Sequence, residues 1–229
     1  MSDKLGQQLP LRIGLRDSAT FVNFFPGGNA APSHALQQLS EPFIYLWGAR
    51  GCGKTHLLQA ACHAVSERGE GSVYLPMDEL SAMSPQLLEG MEQMALVCID
   101  DVDMIVGNTS WEQALFHLYN RVRDSGKRLV VAGRSSPSSL GLSLPDLVSR
   151  LSWGPVYQLQ ALDDESKAAA LRLRASKRGM VMSAEVAAYL LSHTPRDMHA
   201  LFTLLEELDE VSLATQRKLT IPFVRELIR

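Results

Sequence analysis

Cysteine is scarce in this sequence, and long apolar runs are absent. The three cysteines, Cys52, Cys62 and Cys98, are scattered and form no CxxC pair, so we expect neither a disulfide framework nor a structural zinc site. No apolar stretch approaches the roughly 20 residues that a membrane helix requires. Residues 1–4 lead into a polar segment rather than a signal peptide. These absences predict a cytoplasmic protein with no membrane partner.

An excess of positive charge is also missing. The 229 residues contain 22 Lys and Arg against 25 Asp and Glu, a formal net charge of -3, so the chain as a whole is not expected to bind DNA electrostatically. With 46% hydrophobic residues, the chain can bury a sizeable core. Its length suits one larger domain, or a core domain with a small appendage.

Short apolar runs between residues 43 and 159 predict strands. The predicted strands cover residues 43–47, 72–75, 95–99, 129–132 and 156–159. The segments between them predict helices over residues 54–68, 87–94 and 111–123. Because these strands alternate with helices, we expect an α/β fold whose five-stranded parallel sheet has right-handed crossovers.

After Leu162 the pattern changes to helices without strands. Helical spacing covers residues 166–178, 184–193, 197–211 and 223–228. Between the first two of these helices, Gly179 is a C-terminal stop and Ser183 is an N-cap. We therefore expect three parts: an N-terminal tail over residues 1–19, an α/β core over residues 20–162 and a helical lid over residues 163–229.

The segment Gly48-Ala49-Arg50-Gly51-Cys52-Gly53-Lys54-Thr55 has the GxxxxGKT pattern of a P-loop, and it lies between a predicted strand and a predicted helix. In such a loop, backbone amides and the helix N-terminus bind phosphate oxygens. Lys54 is expected to reach the β- and γ-phosphates, and the Thr55 hydroxyl to bind Mg²⁺. A chance Gly-rich turn is the alternative, but the flanking strand and helix argue against it. The predicted nucleotide contacts in this segment are Gly48, Arg50, Gly51, Cys52, Gly53, Lys54, Thr55 and His56.

Two carboxylates, Asp100 and Asp101, follow the third predicted strand. At the carboxyl end of a parallel strand, they would face the P-loop across neighbouring strand ends. We predict that Asp100 is the carboxylate on the Mg²⁺ side and that Asp101 orients an attacking water. The alternative is that acidic residues merely cap a strand end, which the nearby P-loop disfavours.

The P-loop, the Asp100-Asp101 strand and the helical lid together resemble an AAA+ ATPase of the DnaA branch. Further similar segments are residues 20–24, 118–121, 144–154 and 216–224. The P-loop alone identifies only a superfamily, whereas the segments at 144–154 and 216–224 are much more specific. The resemblance implies a P-loop AAA+ core with a small C-terminal lid, and it implies that the chain binds ADP or ATP together with Mg²⁺.

The resemblance also implies roles for individual residues. Arg150 matches the arginine finger, which stabilises charge on a phosphoryl group in a neighbouring molecule. Arg196 matches the sensor-2 arginine, which contacts phosphate from the lid. Phe21 and Phe24 match the segment that flanks the base. The alternatives are surface positions for the two arginines and ordinary core packing for the two phenylalanines.

One position departs from the DnaA pattern. Related proteins commonly have a polar residue, often Asp, at the end of the fourth strand to sense the γ-phosphate, whereas this chain has Ala132-Gly133-Arg134-Ser135. We therefore expect the chain's own ATP hydrolysis to be weak. Arg134 could bind phosphate or lie in a solvated loop, and the sequence does not separate these options.

The tail segment Gln8-Leu9-Pro10-Leu11-Arg12-Ile13 resembles the peptides that bind the sliding clamp of DNA polymerase III. Apolar anchors at Leu9, Leu11 and Ile13 suit a hydrophobic groove. Gln8 would add polar specificity. The alternative is that the apolar side chains pack on the protein's own core.

The resemblance therefore implies negative regulation of DNA replication initiation. With the DNA-loaded clamp, the chain would insert Arg150 into ATP-bound DnaA and trigger hydrolysis there, so that DNA is contacted only through the clamp. One alternative is a self-contained AAA+ ATPase such as a helicase loader, and another is a passive adaptor tethered to the clamp. Assembly of the chain into a homo-oligomer is compatible with these functions.

Overall fold

A computed structural model describes residues 19–228, and a parallel sheet forms its centre. The strands are β1 (Phe43–Trp47), β2 (Ser72–Pro76), β3 (Leu96–Asp100), β4 (Arg128–Gly133) and β5 (Val156–Gln158). They pair in the order β2-β3-β4-β1-β5, and every pair is parallel. The predicted five-stranded parallel sheet is confirmed.

Helices connect the strands and continue after the last of them. In chain order they are α1 (Ala30–Gln38), α2 (Lys54–Glu67), α3 (Met77–Leu80), α4 (Thr109–Asp124), α5 (Pro145–Leu151), α6 (Asp164–Lys177), α7 (Ala184–His193), α8 (Met198–Thr215) and α9 (Ile221–Leu227). Within residues 19–228, no helix is both long and apolar enough to cross a membrane.

Both faces of the sheet are covered by helices, because the strands carry apolar side chains on both sides. On one face, Leu115 of α4 and Leu147 of α5 belong to the same buried cluster as Val97 of β3. On the other face, Leu57 of α2 is buried in one cluster with Cys98 of β3. Every residue of β3 is buried, including Asp100 at its end, and the apolar run over residues 95–99 predicts this burial for the rest of the strand. Polar side chains of the central strands therefore gather at the strand ends.

Helices α6 to α9 form a separate apolar core after β5. Leu171 of α6, Leu190 of α7, Leu205 of α8 and Phe223 of α9 are all buried there. The predicted N-cap is confirmed, because the Ser183 side chain accepts a hydrogen bond from a backbone amide in the first turn of α7. The four predicted lid helices are present, whereas the domain boundaries near residues 20 and 163 stay predictions.

The prediction of a helix over residues 87–94 is wrong. The chain instead forms two short 3-10 helices, Pro85–Leu88 and Met91–Gln93, on either side of Gly90. Gly90 has a φ of +80°, a left-handed conformation that interrupts an α-helix. Three helices of this part of the chain, α1, α3 and α5, were not predicted. Each is short and has a proline at or next to its first turn.

Candidate functional site

The P-loop connects the carboxyl end of β1 to the first turn of α2, as predicted. Close contacts require two of its glycines. A Cβ atom at Gly48 would lie 2.5 Å from the carbonyl oxygen of Leu159, and one at Gly53 would lie 2.9 Å from the ring of Phe24. Gly53 also has a φ of +101°, which favours glycine. The loop backbone is therefore packed tightly between Phe24 and the segment that follows β5.

Lys54 is buried, and its ammonium group is held by the P-loop itself. Nζ donates hydrogen bonds to the carbonyl oxygens of Gly48 at 2.8 Å and Ala49 at 3.1 Å. The sulfur of Cys52 lies 3.9 Å from the same nitrogen. A charged phosphate oxygen accepts a stronger hydrogen bond than these neutral carbonyls do. The ammonium group thus lies at the P-loop as a charged donor, and a bound phosphate could replace the carbonyl oxygens as its acceptor.

The candidate Mg²⁺ site joins the first turn of α2 to the end of β3. The Thr55 hydroxyl donates a hydrogen bond to Asp100 Oδ2 at 2.6 Å, and the Tyr74 hydroxyl donates to the same oxygen at 2.9 Å. The other carboxylate oxygen of Asp100 accepts from the backbone N–H of Asp101 at 2.9 Å. Burial and the adjacent Asp100 raise the pKa of Tyr74, so Tyr74 keeps the proton that it donates.

A hydroxyl beside a carboxylate fits Mg²⁺, which binds oxygen ligands and commonly takes only one or two from protein carboxylates. Within residues 19–228, no cluster of three or more His, Cys, Asp and Glu side chains could hold a metal by itself. Besides Thr55 and Asp100, phosphate oxygens and water would therefore have to complete the coordination shell of a Mg²⁺ ion. This is the usual arrangement in nucleotide sites.

Asp101 begins the turn after β3 and has a left-handed φ of +50°. Burial raises the pKa of Asp101 to about 6, with a further contribution from the charge of Asp100. A carboxyl group with a pKa near neutrality suits proton exchange with a reacting water. The role of Asp101 in orienting such a water stays a prediction.

Phe21 and Phe24 lie beside the helix that follows the P-loop. The ring of Phe24 is 5.4 Å from the ring of His56 in α2, and Phe21 packs against the same apolar core as α2. His56 Nε2 lies 2.8 Å from the carbonyl oxygen of Thr20, so this nitrogen carries a proton and donates it. Burial lowers the pKa of His56, which favours the neutral ring. Residues 20–24 thus border the P-loop, and base contact by the two phenylalanines stays a prediction.

Arg196 lies in the segment between α7 and α8, just before the helix rather than inside it. Its Nη1 is 3.0 Å from Asp164 Oδ2 in α6. The next residue, Asp197, is the N-cap of α8. The Oδ2 atom of Asp197 would lie 3.4 Å from a Cβ atom placed at Gly51 of the P-loop. The structure therefore brings this part of the lid to the P-loop, while the Arg196 side chain is paired with Asp164. To make its predicted phosphate contact, Arg196 would have to exchange Asp164 for a phosphate group.

Gly133 is the last residue of β4 and Arg134 follows it, at the point where the DnaA pattern has a phosphate sensor. A Cβ atom at Gly133 would lie 2.6 Å from the hydroxyl oxygen of Tyr45, so position 133 has no room for a side chain. Arg134 Nε lies 3.1 Å from Asp103 Oδ2, and the Arg134 backbone N–H donates to Asp103 Oδ1 at 3.0 Å. Arg134 is therefore an ion-paired loop residue, with a side chain that is 60% exposed.

Arg150 lies near the end of α5, at the opposite end of β1 from the P-loop. Its guanidinium carbon is 5.4 Å from the ring centre of Trp153 and 6.0 Å from that of Tyr119. Tyr119 stacks on Phe43, the first residue of β1. Because the P-loop follows the last residue of β1, the length of this strand, about 13 Å, lies between Phe43 and the loop. None of the ion pairs formed among residues 19–228 includes Arg150.

Glu112 supports the helix that carries Arg150, and we did not predict it from the sequence. Its side chain is fully buried in the first turn of α4. Oε1 accepts from the backbone N–H of Gly107 at 2.9 Å, and Oε2 accepts from those of Ser143 and Leu144 at 2.8 Å. Glu112 thereby ties the loop after β3 to the start of α5. The helical spacing that places residue 112 on the buried face with residue 115 was the available signal.

The structure thus brings some of the predicted site residues together and leaves others apart. Lys54, Thr55, Asp100 and Asp101 are together at the carboxyl ends of the strands, whereas Arg150 is remote from them. Arg50 is exposed on the P-loop. The predicted clamp-binding residues lie outside the residues that the structure describes, and they are Gln8, Leu9, Leu11 and Ile13.

Two consecutive segments of the chain match known protein families. Residues 15–158 match the family described as the bacterial DnaA ATPase domain. Residues 164–228 match the family described as the lid domain of Hda. Residues 159–163, between the last strand and the first lid helix, separate the two matches.

Solved structures with a similar fold include several DnaA proteins. Domain III of the replication initiation protein DnaA from Thermotoga maritima is 25% identical, with a TM-score of 0.78 over 92% of this chain and 95% of that one. AMPPCP-bound DnaA from Aquifex aeolicus is 26% identical, with a TM-score of 0.69 over 85% of this chain and 66% of that one. A DnaA bound to AMPPCP and single-stranded DNA is 24% identical, with a TM-score of 0.70 over 89% and 69% of the two chains.

Proposed function

The chain belongs to the bacterial DnaA ATPase family and carries a lid of the Hda type, and from this we propose that it is a nucleotide-binding AAA+ regulator of DNA replication initiation. It acts on the initiator DnaA, whose ATP hydrolysis it stimulates with the help of the DNA-loaded sliding clamp. Initiation is thereby restrained. The observation that carries this proposal is the position of Arg150 relative to the chain's own P-loop.

The surroundings of Arg150 support a role in a neighbouring molecule. The residue is separated from its own P-loop by the length of β1, so it does not serve its own phosphates. Its guanidinium contacts the rings of Trp153 and Tyr119, and no carboxylate of residues 19–228 pairs with it. An unpaired guanidinium offers a planar set of donors that can stabilise charge on a transferring phosphoryl group.

The chain's own nucleotide is ADP or ATP, bound at the P-loop. This part of the proposal is supported by the buried Lys54 ammonium and by the similarity to Aquifex aeolicus DnaA, which was solved with AMPPCP. Thr55 and Asp100 would hold Mg²⁺, which when bound neutralises phosphate charge. Phe21 and Phe24 would flank the base, and Arg196 would contact phosphate after leaving Asp164.

Weak hydrolysis by the chain itself fits this regulatory role. The end of β4 offers Gly133, which has no room for a side chain, and an arginine that is paired with Asp103. Neither provides the polar sensor that related ATPases have there. Asp101 could still orient a water, but the γ-phosphate would lack this second contact. We expect the nucleotide mainly to organise the P-loop and the lid.

The N-terminal tail would supply the clamp contact. Its sequence has apolar residues at alternate positions, Leu9, Leu11 and Ile13, after the polar Gln8, a pattern that suits recognition in a hydrophobic groove. Because the formal net charge of the chain is -3, we expect DNA to be reached through the clamp rather than bound directly. Such a protein would work in the cytoplasm, where the chromosome is replicated.

The test is the hydrolysis of DnaA-bound ATP in a two-by-two design, with and without this chain and with and without DNA-loaded clamp. We expect hydrolysis to rise strongly only when both are present. ATP turnover by this chain without DnaA, measured in parallel, distinguishes a self-contained motor. A rate that the chain does not change in any arm would contradict the proposal.

A further inference from the structure

The guanidinium group of Arg150 lies against two aromatic rings rather than against a carboxylate. The guanidinium carbon is 5.4 Å from the ring centre of Trp153 and 6.0 Å from that of Tyr119. These distances are within the roughly 6 Å at which a cation is attracted to the face of an aromatic ring. The charge of Arg150 is therefore stabilised without being neutralised.

The two rings are held in different ways. Tyr119 is 1% exposed, and its ring stacks on that of Phe43 with a centre-to-centre distance of 4.1 Å. It is therefore fixed to the start of β1. Trp153 is 67% exposed, and its backbone N–H donates to the Arg150 carbonyl oxygen at 3.2 Å. Trp153 thus belongs to the end of the helix that carries Arg150.

Gly154 fixes the backbone next to Trp153. A Cβ atom at this position would overlap the carbonyl oxygen of Phe43, so only glycine lets the chain pass so close to β1. The following residue is also anchored, because the carbonyl oxygen of Pro155 accepts from the Tyr45 backbone N–H at 2.9 Å. The turn that carries the exposed indole is therefore held against the sheet.

We propose that Trp153 and Tyr119 are positioning residues for Arg150, which hold its guanidinium in the orientation needed to enter a partner's nucleotide site. This inference rests on the proposed function. A carboxylate in their place would occupy two of the guanidinium donors in a bidentate pair. An aromatic face attracts the guanidinium cation but leaves the N–H groups of the guanidinium free for phosphate oxygens. Restricting the flexible arginine before binding also reduces the entropy lost on association.

An exposed tryptophan can also act as a plain contact with the partner. The two roles predict different kinetics. A contact residue changes the concentration of this chain that gives half-maximal stimulation, whereas a positioning residue changes the maximal stimulated rate at saturating chain. The experiment therefore measures ATP hydrolysis by DnaA, with DNA-loaded clamp present, over a range of concentrations of this chain.

The variants Trp153→Leu and Trp153→Phe separate the aromatic face from apolar bulk. We expect Trp153→Leu to lower the maximal stimulated rate about two- to fivefold, the loss that corresponds to an exposed cation–π contact, with little change in the half-maximal concentration. Trp153→Phe should restore most of the rate, because it restores a ring face. Tyr119→Leu removes the second ring and should also lower the maximal stimulated rate. Tyr119→Phe keeps that ring and should recover most of the rate that Tyr119→Leu loses, since the buried hydroxyl has no hydrogen-bond partner among the described residues.

Three results would overturn the inference: a maximal rate for Trp153→Leu equal to that of the parent, an effect confined to the half-maximal concentration, or failure of Trp153→Phe to recover. Arg150→Ala is measured beside these variants. If Arg150→Ala stimulates normally, the proposed function itself fails. If it is inactive while Trp153→Leu is normal, only the positioning role fails. Trp153→Leu should add no further loss to Arg150→Ala, because residues that act through one contact are not additive.

Discussion

The Thr55 hydroxyl donates a hydrogen bond to Asp100 Oδ2 across 2.6 Å, although 45 positions separate the two residues in the sequence. The contact joins the helix that begins at the P-loop to the carboxyl end of β3. Tyr74 supports it from the neighbouring strand β2. The fold thus brings together the two oxygen-bearing groups that we propose as Mg²⁺ ligands, and each can be changed by a small substitution.

Thr55→Val should remove the Mg²⁺ dependence of nucleotide binding. Valine keeps the shape of threonine but has no hydroxyl oxygen for the metal. We expect the parent to bind ADP more tightly with Mg²⁺ than with a chelator, and the variant to bind equally in both conditions, as measured by calorimetry. Thr55→Ser keeps the hydroxyl and serves as the matched control. A variant that still responds fully to Mg²⁺ would place the metal elsewhere.

Lys54→Ala should weaken nucleotide binding by about tenfold or more, since a hydrogen bond between a charged donor and phosphate is worth about 1.5–3 kcal/mol. The loss should be similar for ADP and ATP if the loop amides mainly bind the inner phosphates. Titration calorimetry measures this directly. The exposed Lys177 of α6 provides a control, because Lys177→Ala changes the net charge equally. Equal affinity of the Lys54 variant and this control would refute the assigned site.

The α/β core could be predicted because its elements carry strong local signals. Most of the strands are short, mainly apolar runs, and the P-loop has a motif that requires a strand before it and a helix after it. The three unpredicted helices, α1, α3 and α5, lack such signals because they are short and begin near prolines. At Gly90 the error is the opposite one. The apolar spacing of residues 87–94 predicts a helix, but the left-handed conformation of Gly90 interrupts it.

The candidate site was predictable only where a motif defined it. Lys54, Thr55 and Asp100 meet as expected, because strand ends in a parallel sheet share one edge. The surroundings of Arg150 depend on α4 packing beside α5, so no local pattern indicates that Tyr119 would lie under it. The pairing of Arg134 with Asp103 likewise joins the ends of two strands. Such contacts follow from the tertiary arrangement rather than from spacing along the chain.

Glu112→Ala should destabilise the fold by more than the loss of one hydrogen bond would. The carboxylate accepts from three backbone N–H groups and is fully buried. Alanine leaves these donors without their partner, and each unsatisfied buried donor costs about 1–3 kcal/mol. We expect the free energy of unfolding to fall by about 3 kcal/mol in a denaturant titration. Glu67→Ala, at an exposed position of α2, should stay close to the parent, and an equally small effect of Glu112→Ala would contradict this account.

Changing Gln8, Leu9 and Leu11 together to alanine should abolish clamp binding and leave nucleotide affinity unchanged. The motif precedes the predicted α/β core in the sequence, so we expect the two properties to separate. A pull-down with purified clamp measures the first property, and calorimetry with ADP measures the second. Changing Ser2, Asp3 and Lys4 to alanine alters the same tail outside the motif and should have no effect. Retention of the clamp by the first variant would place the contact elsewhere.

Arg150→Ala should keep the fold, nucleotide binding and clamp binding but lose the stimulation of ATP hydrolysis by DnaA. In GTPase systems an arginine finger is worth about 10³–10⁵ in rate, and we expect a smaller loss here, of about tenfold or more. Hydrolysis of DnaA-bound ATP in the presence of DNA-loaded clamp is the measurement. Arg172→Ala, at an exposed position of α6, removes the same charge from the lid and should stimulate as the parent does.

Arg150→Lys decides whether charge alone is sufficient. Lysine keeps the positive charge but lacks the planar fork that spans two phosphate oxygens, and its ammonium is a compact, strongly hydrated charge. We therefore expect Arg150→Lys to be nearly as inactive as Arg150→Ala. Recovery by lysine would mean that Arg150 acts through its charge without bidentate geometry. Full stimulation by Arg150→Ala would instead remove the trans-acting arginine altogether, and the chain would then be better described as an adaptor that is tethered to the clamp.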